Sequence, residues 1–514
     1  MPADPEAEPG FWPLFAATAA EDGGRVYARY DGRQITFAVL DRMSASLAAN
    51  LAALGAVRGD RIAVMMRNSP GALALIFAIA RAGLVWVPVN AALRGEGLRH
   101  VLTHAEPRVL VADAEALPRI DECGATLAGV PRVVAGDAAA ALRLEPMLEG
   151  NAGCAVAPPS HADLFAIMYT SGTTGPAKGV MVTHRMLRLA GEGALLVAAA
   201  RDGDVLFVWE PLYHIGGAQL IVLPLRSRVV LAMVGRFSAS RFWQDVTAER
   251  ATHIHFLGGI LQILLKQPPG PLDRGHGARI AWGGGCPIDV WRPFEKRFGL
   301  QIRECYGMTE ASSFTSFNDL GVVGSVGRPV PWLSVALLDE AGSAVAAGAR
   351  GEIVVRASDA GALTPGYFRN PEATARALRD GLLFTGDCGS FDENGNLFFH
   401  GRLTDSVRVK GENVSAWEVE HVAARHPAVE DCAMIGVKAD IGEQDIKLFV
   451  KARAGATVDL GELSAWLAAR LAPYQTPRYL AVVDEFERTP SLRIMKHRLS
   501  AAHDDCFDRL EARD

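Results

Sequence analysis

The stretch Tyr169-Thr-Ser-Gly-Thr-Thr-Gly-Pro-Ala-Lys-Gly179 constrains this chain more than any other segment of its length. It holds three glycines, four short hydroxyl side chains and one lysine in eleven residues. The apolar run Leu164 to Met168 leads in and Val180-Met-Val182 leads out, so the pattern predicts strand, loop, strand. Glycines at 172, 175 and 179 let the backbone turn sharply and bring its N–H groups close to an anion. The hydroxyls of Thr170, Ser171, Thr173 and Thr174 add donors, and Lys178 adds a positive charge suited to phosphate. The loop therefore reads as a polyphosphate cradle, although an ordinary polar hairpin turn has a similar composition. It is not a Walker loop. Ala177 stands five residues after Gly172, where the second glycine would be, and Gly179 follows Lys178 in place of Ser or Thr.

At 514 residues the chain exceeds the size at which a single core stops growing, so at least two domains are expected. A hydrophobic content of 49% and a charged content of 21% fit a globular protein, and a net charge of −6 implies no general attraction to nucleic acid or an anionic membrane. The seven cysteines are scattered, without a Cys-x-x-Cys or a Cys/His ligand spacing. That argues for reduced thiols and a cytoplasmic setting, against a disulfide framework or a zinc site. The acidic N-terminus lacks the basic region and apolar core of a signal peptide. The most apolar run, Ala72 to Ala80, is too short to cross a bilayer and reads as a buried helix.

Residues 26–140 alternate helix and strand: helices over Phe37 to Leu54, Pro70 to Ala82 and Leu98 to His104, strands over Arg61 to Met66, Leu84 to Val89 and Arg108 to Ala112. That is the alternation of a parallel α/β sheet. A Gly/Ala/Pro-rich connection, about 135–159, leads into the phosphate loop. The alternation resumes with strands at Asp204 to Trp209, His253 to Leu257 and Arg279 to Trp282, and helices at Ala218 to Leu225 and Ser238 to Arg250. From Gly324 to His400 short strands separated by Gly, Asp and Asn suggest a small antiparallel barrel. Beyond it a compact α+β unit is expected, with helices at Ala416 to His426 and Leu460 to Leu471. The predicted class is α/β: residues 1–403 form a large N-terminal domain of two α/β subdomains plus a small β-barrel, and 404–514 a small mobile α+β C-terminal domain.

Six further stretches join the loop: Pro211-Leu-Tyr-His214, Gly283-Gly-Gly-Cys-Pro287, Tyr306-Gly-Met-Thr-Glu310, Thr385-Gly-Asp387, Gly401-Arg-Leu-Thr-Asp405 and Lys410-Gly-Glu-Asn-Val-Ser-Ala-Trp-Glu-Val-Glu420. In this order and spacing they resemble the adenylate-forming superfamily of acyl-CoA synthetases, non-ribosomal peptide adenylation domains and firefly luciferase. The resemblance runs from about residue 12 to 500. The stretch from Arg408 to Glu420 looks most like crotonobetaine/carnitine-CoA ligases.

The resemblance implies an AMP-forming acid–thiol ligase using ATP, Mg²⁺ and coenzyme A. A carboxylate attacks the α-phosphate of ATP, and a thiol then displaces AMP. Attack of one anion on another requires charge neutralisation. By resemblance the loop from Thr170 through Ser171, Gly172, Thr173, Thr174 and Gly175 to Lys178 holds the β- and γ-phosphates. Thr309 bonds the α-phosphate, and Glu310, with Thr170, attends Mg²⁺, a hard cation suited to oxygen ligands. Gly283, Gly284 and Gly285 flank adenine and the acyl group. Glu304, Cys305, Tyr306, Gly307 and Met308 complete the nucleotide wall, with the Tyr306 ring offered for stacking. Asp387 is an acceptor for both ribose hydroxyls, and Arg402 adds a ribose or phosphate contact. His214 lines the acyl pocket near the thiol's path. Lys410, Gly411 and Trp417 face the site in the thioester-forming state, and Asp405 is the hinge about which the C-terminal domain rotates.

The acyl pocket is expected from Ile215 to Leu220, His255 to Ile260, Trp282 to Gly285 and Ser312 to Thr315. These stretches carry little charge, which suggests an uncharged acyl body, although Trp282 or Phe256 would serve a cation. Trp282 either narrows the pocket for a short acid or is ordinary core. The partner is a small-molecule carboxylic acid. A carrier protein in place of CoA is the alternative acceptor, and a homodimer is left open. One departure stands out. The family usually carries a Gly-Lys pair near the C-terminus whose lysine bridges carboxylate and α-phosphate, and here Leu492-Arg493 occupies it. Arg keeps the charge, but its planar fork is not a compact ammonium. Either Arg493 does the work with altered geometry, or Lys496 reaches in, or adenylation is impaired and thioester formation or acyl-nucleotide binding remains.

Overall fold

A computed structural model describes residues 10–137, 142–150, 157–170, 177–257, 259–403, 406–409, 412–439, 444–471, 473, 475–488 and 494–511. The chain divides into two compact units, one of residues up to 172, 176–335 and 355–383, the other of 336–354 and 384–514.

The first unit is built on two large sheets. A six-stranded sheet runs in the order Arg132–Ala135, Val109–Asp113, Arg61–Met65, Val85–Pro88, Leu164–Thr170, Lys178–Thr183. It is parallel up to the antiparallel last pair. A nine-stranded sheet runs Arg328–Pro329, Ser316–Phe317, Gln301–Tyr306, Ile280–Gly284, His253–Leu257, Val205–Val208, Val230–Met233, Val26–Tyr30, Arg33–Thr36. The last two were not picked out from the sequence. They lie in this sheet because Val26–Tyr30 pairs in parallel with Val230–Met233, a partner far along the chain that local periodicity does not reveal.

The helix Pro70–Arg81 starts where Ser69 accepts the Ala72 N–H at 3.1 Å and Pro70 takes the first helical position. Every residue from Gly71 to Ala80 is buried, as its uninterrupted apolarity requires. Its Phe77 meets Phe15 at 4.3 Å and Tyr27 at 5.6 Å between ring centroids, in a cluster shared with Phe11 and Phe37. No helix among the described residues is long and apolar enough to cross a membrane. The run expected as one helix over Ala218 to Leu225 is three short turns, Ile215–Ala218, Gln219–Val222 and Leu223–Arg226. Pro224 has no N–H to continue the ladder. The helix expected from Ser238 begins at Phe242.

The small barrel expected over 324–400 is a five-stranded sheet of Leu333–Leu338, Arg350–Ala357, Leu382–Phe391, Leu378–Arg379 and Leu397–Arg402. In the second unit, strands Val429–Lys438, Gln444–Ala452, Tyr479–Val482 and Phe507–Asp508 form one sheet. Ala416–Ala423 and Leu460–Ala468 are its helices, and the core gathers Val414, Val419, Leu448, Leu463 and Leu480.

Candidate active site

The phosphate loop joins the arms of a hairpin. Leu164–Thr170 pairs antiparallel with Lys178–Thr183, and Thr170 faces Lys178 across the final pair, its Oγ1 3.5 Å from Lys178 O. Ser171, Gly172, Thr173, Thr174 and Gly175 lie outside the described residues, as do Asp405, Lys410, Gly411 and Arg493. The helix Gly95–Ala105 buttresses both ends of the loop. His104 Nδ1 hydrogen-bonds Tyr169 Oη at 2.7 Å, and His100 Nε2–H donates to Ala177 O at 2.9 Å. Burial pushes the Tyr169 hydroxyl's pKa up and that of His104 down.

The glycine triplet ends the strand Ile280–Gly284. Gly283 has φ 150°, and a Cβ there would lie 1.9 Å from Phe256 O, so no side chain fits. Glu304 stands beside it on the neighbouring parallel strand. Its buried carboxylate accepts the N–H groups of Gly285 at 2.5 Å and Cys286 at 3.0 Å, which fixes the turn after the strand. Burial pushes the Glu304 carboxyl up to about 8, against the pull of those two N–H bonds. Cys305 Sγ lies 3.0 Å from Gly283 O.

Past Tyr306 the chain doubles back. A Cβ on Gly307 would lie 1.8 Å from Ser313 O, and Met308 O accepts from the N–H groups of both Ala311 and Ser313 at 3.1 Å. Ser312 and Ser313 take left-handed φ of 52° and 72°. This tight turn presents Thr309 and Glu310, both buried, beside the strand end. Glu310 Oε1 accepts the Tyr367 Oη–H at 2.8 Å, and Lys178 Nζ lies 5.1 Å from the centroid of the same tyrosine ring. The backbone locks the three together. Met181 N–H donates to Gly366 O at 3.0 Å, Phe368 N–H to Gly179 O at 2.8 Å, and Thr364 N–H to Glu310 O at 2.8 Å.

His214 is exposed. Its Nδ1 accepts the Gly216 N–H at 3.1 Å and so caps the turn Ile215–Ala218, which leaves the proton on Nε2 in the neutral ring. Trp282 is wholly buried, its ring 4.4 Å from that of His255 and 6.3 Å from that of Phe314. Phe256, proposed above as a cation's partner, points the other way, into the cluster of Phe242, Trp291 and Phe294. Neighbouring residues of a strand face opposite sides. Outside the stretches expected to line the pocket, Glu210, just before Pro211, is buried with its carboxylate bonded to His255.

In the second unit Asp387 is buried with Oδ1 3.4 Å from Arg402 Nε, across a paired position of two antiparallel strands. The Trp417 ring lies 5.9 Å from that of His400 and stacks on that of His421 at 4.8 Å and 8°. Lys496 is paired with Glu420 at 2.8 Å.

The sequence reading missed Tyr367, Glu210, His100 and His104. The histidines were findable as a pair four apart on one helix face. Tyr367 and Glu210 act through partners distant in sequence.

Residues 15–368 match the model of the AMP-binding enzyme family, and 418–492 that of the AMP-binding enzyme C-terminal domain. The chain belongs to the AMP-binding enzyme family. A crotonobetaine/carnitine–CoA ligase of Salmonella paratyphi B is 28% identical over 512 residues, 95% of this chain and 98% of that protein. One of Escherichia coli O1:K1 is 30% identical over 467 residues, 87% and 89% of the two chains. Among solved structures, ATP-bound MatB from Rhodopseudomonas palustris superposes with a TM-score of 0.86 at 29% identity, over 95% of this chain and 97% of that one. A benzoate CoA ligase from Burkholderia xenovorans, at 24% identity, shares the fold with a TM-score of 0.84 over 95% and 99%. In this AMP-binding enzyme every motif from Thr170 to Glu310 lies inside the main match, and so does Tyr367. The C-terminal match ends at Leu492, one residue before Arg493.

Proposed function

We propose that this AMP-binding enzyme is an acid–CoA ligase for a short or compact carboxylic acid. A carboxylate oxygen attacks the α-phosphorus of ATP, forming the acyl–phosphate bond as the bond to pyrophosphate breaks. The CoA sulfur then attacks the acyl carbon, a thioester forms, the thiol proton is released and AMP leaves. The observation that carries this reading is the joining of Lys178 to Glu310 through Tyr367. A cation for phosphate and a carboxylate for a metal meet at one tyrosine, which is what an anion-on-anion attack needs.

The roles follow from this chain's own groups. The segment Thr170 to Lys178 binds the terminal phosphates, and Thr309 bonds the α-phosphate. Glu310 holds Mg²⁺, with Thr170 near the same phosphates. Mg²⁺ takes one or two carboxylates plus substrate phosphates, and a lone carboxylate with one oxygen already held by Tyr367 fits that donor set. When bound, the metal neutralises phosphate charge. Gly283 to Gly285 leave room for adenine and acyl group, with the turn kept open by Glu304 and closed off by Cys305 to Met308. Asp387 accepts from the ribose hydroxyls and Arg402 supports it. Residues 404–514 act as the lid, hinged at Asp405, with Lys410, Gly411 and Trp417 serving CoA, and Arg493 supplies the cation shared by carboxylate and α-phosphate. Trp282 closes the acyl pocket, which His214 borders.

The test is acid-dependent exchange of labelled pyrophosphate into ATP over a panel of short acids, followed by mass detection of acyl-CoA. Absence of exchange and of ATP-dependent thioester with every acid would sink the reading. The substitution of Leu492-Arg493 for the usual pair favours a second reading, a ligase weak in adenylation. That form yields thioester only from supplied acyl-AMP.

A further inference from the structure

The acyl side of the site contains a buried carboxylate that no phosphate or metal chemistry uses. Glu210 follows the strand Val205–Val208, and Asn68 clamps the backbone there. Its Nδ2–H donates to Glu210 O at 2.7 Å and its Oδ1 accepts the Leu212 N–H at 2.9 Å. His255 is pinned as firmly, with Trp209 Nε1–H donating to its carbonyl at 2.9 Å. The Glu210 and His255 side chains are 0% and 3% exposed and joined Oε1 to Nδ1. Glu210 Oε2 is buried without a hydrogen-bond partner.

This pair sits where the acyl group is proposed to lie. His255 is opposite Trp282 in strand register, and Trp282 runs directly into Gly283. From Gly216, the position of an added Cβ would be 3.3 Å from His214 Nδ1 and 3.8 Å from His255 Cε1, so the imidazole abuts the turn that carries His214. A carboxylate that is sealed from water and has one oxygen unsatisfied is costly, and that oxygen calls for a donor. The donor and acceptor inventory then fixes what is missing. An ionised carboxylate only accepts, so Nδ1 donates to Oε1 and Oε2 is left to accept from a further group. Oε2 is a buried acceptor with no donor.

We propose that Glu210 and His255 form a specificity-determining subsite that selects an acid whose acyl body carries an O–H or N–H donor, over a plain alkanoic acid. Trp282 is the flat wall against which that body lies. The inference rests on the acid–CoA ligase reading above, and it names the class of acid that reading leaves open.

The test uses the full-length enzyme with butanoate and pentanoate, their hydroxy- and amino-substituted derivatives at each carbon, and the methyl ethers of the hydroxy acids. Acid-dependent pyrophosphate exchange is measured for each. The expected result is a donor-bearing acid favoured in kcat/KM by about 10- to 100-fold over both its unsubstituted parent and its methyl ether, which keeps the oxygen and loses the donor. In Glu210→Gln, which removes the charge and keeps the shape, that ratio falls at least about fivefold. Preference for the unsubstituted acids by the wild-type enzyme overturns the proposal, as does a Glu210→Gln variant that lowers every acid equally. The wild-type comparison decides the matter even where the variant does not fold. No exchange with any acid refutes the ligase reading, whereas exchange confined to plain acids refutes only the subsite.

Discussion

Replacing Tyr367 by Phe isolates the bond on which the proposed phosphate and metal chemistry hangs. The ring stays, so its packing and the Lys178 contact at 5.1 Å are kept, and only the Oη–H donated to Glu310 Oε1 at 2.8 Å is removed. The backbone around it is held independently through Met181, Gly179 and Thr364, so the fold should survive. A hydrogen bond to a charged group contributes about 1.5–3 kcal/mol, and its loss here leaves a buried carboxylate oxygen without that donor. If Glu310 is held in place for the adenylation step, the whole of that loss appears in the rate. At 1.36 kcal/mol per decade the expected fall in kcat/KM for pyrophosphate exchange is about 10- to 150-fold. A freed Glu310 should also bind metal less well. The Mg²⁺ concentration for half-maximal exchange should rise, and Mn²⁺ binding in the presence of ATP, followed by paramagnetic resonance, should weaken in step. Unfolding by denaturant should shift by no more than about 1–2 kcal/mol. A variant whose exchange rate stays within about threefold of wild type, with unchanged metal dependence, would refute the coupling of Lys178 and Glu310 through this tyrosine.

Three further outcomes are expected. Trp282→Ala should lower stability by about 3–5 kcal/mol, read from denaturant unfolding, and shift acid preference toward longer or bulkier acids; unchanged preference would make Trp282 core only. Because burial raises the Glu304 carboxyl to about 8, the folded chain keeps a proton that the unfolded chain gives up. The stability tied to that proton is fully present below the unfolded value near 4.5 and is lost as pH rises through about 8. The melting temperature should therefore fall between pH 6 and 9, and less steeply in Glu304→Gln. Arg493→Ala should cut pyrophosphate exchange by about 100-fold or more while sparing thioester formation from supplied acyl-AMP, and a large gain in exchange by Arg493→Lys would show that the arginine is a handicap.

Much of the framework was legible because it is written locally. Pro70–Arg81 and Phe37–Ala53 carry their own caps and apolar faces, and both ended within a residue of expectation. The hairpin around the phosphate loop announced itself through two apolar runs flanking a Gly-rich turn. What escaped is long-range. Val26–Tyr30 has no local sign of its partner at Val230–Met233. The site divides in the same way. The strings around Lys178 and Glu310 are contiguous and therefore recognisable. Tyr367 lies 57 residues from Glu310, and Glu210 lies 45 from His255. Each of those looks, in sequence, like a stray polar residue beside a Gly or a Pro. Their roles come only from which face of which strand they occupy once the sheet is closed.

The structure also narrows the question raised by Leu492-Arg493. Lys496 is the nearest lysine that would replace the missing one, but it is engaged within its own unit. It is bonded to Glu420 at 2.8 Å, and the same Glu420 oxygen accepts the Met434 N–H at 2.7 Å. Withdrawing Lys496 would take one cation from that carboxylate, which is only 23% exposed. The position is itself braced. Met495 N–H bonds Glu487 O at 2.8 Å, and Arg488 forms an antiparallel bridge with Ile494. A substitute cation would have to break these contacts, whereas Arg493 already occupies the lysine's place in the sequence and keeps its charge. A planar guanidinium differs from an ammonium in what it holds well. It grips two oxygens side by side and is a poorer point charge. If Arg493 completes the charge balance, it does so by a forked grip on oxygens of the carboxylate and the α-phosphate. The adaptation must then be sought in the acid and the pocket that positions it, and there Glu210, His255 and Trp282 are the residues to test.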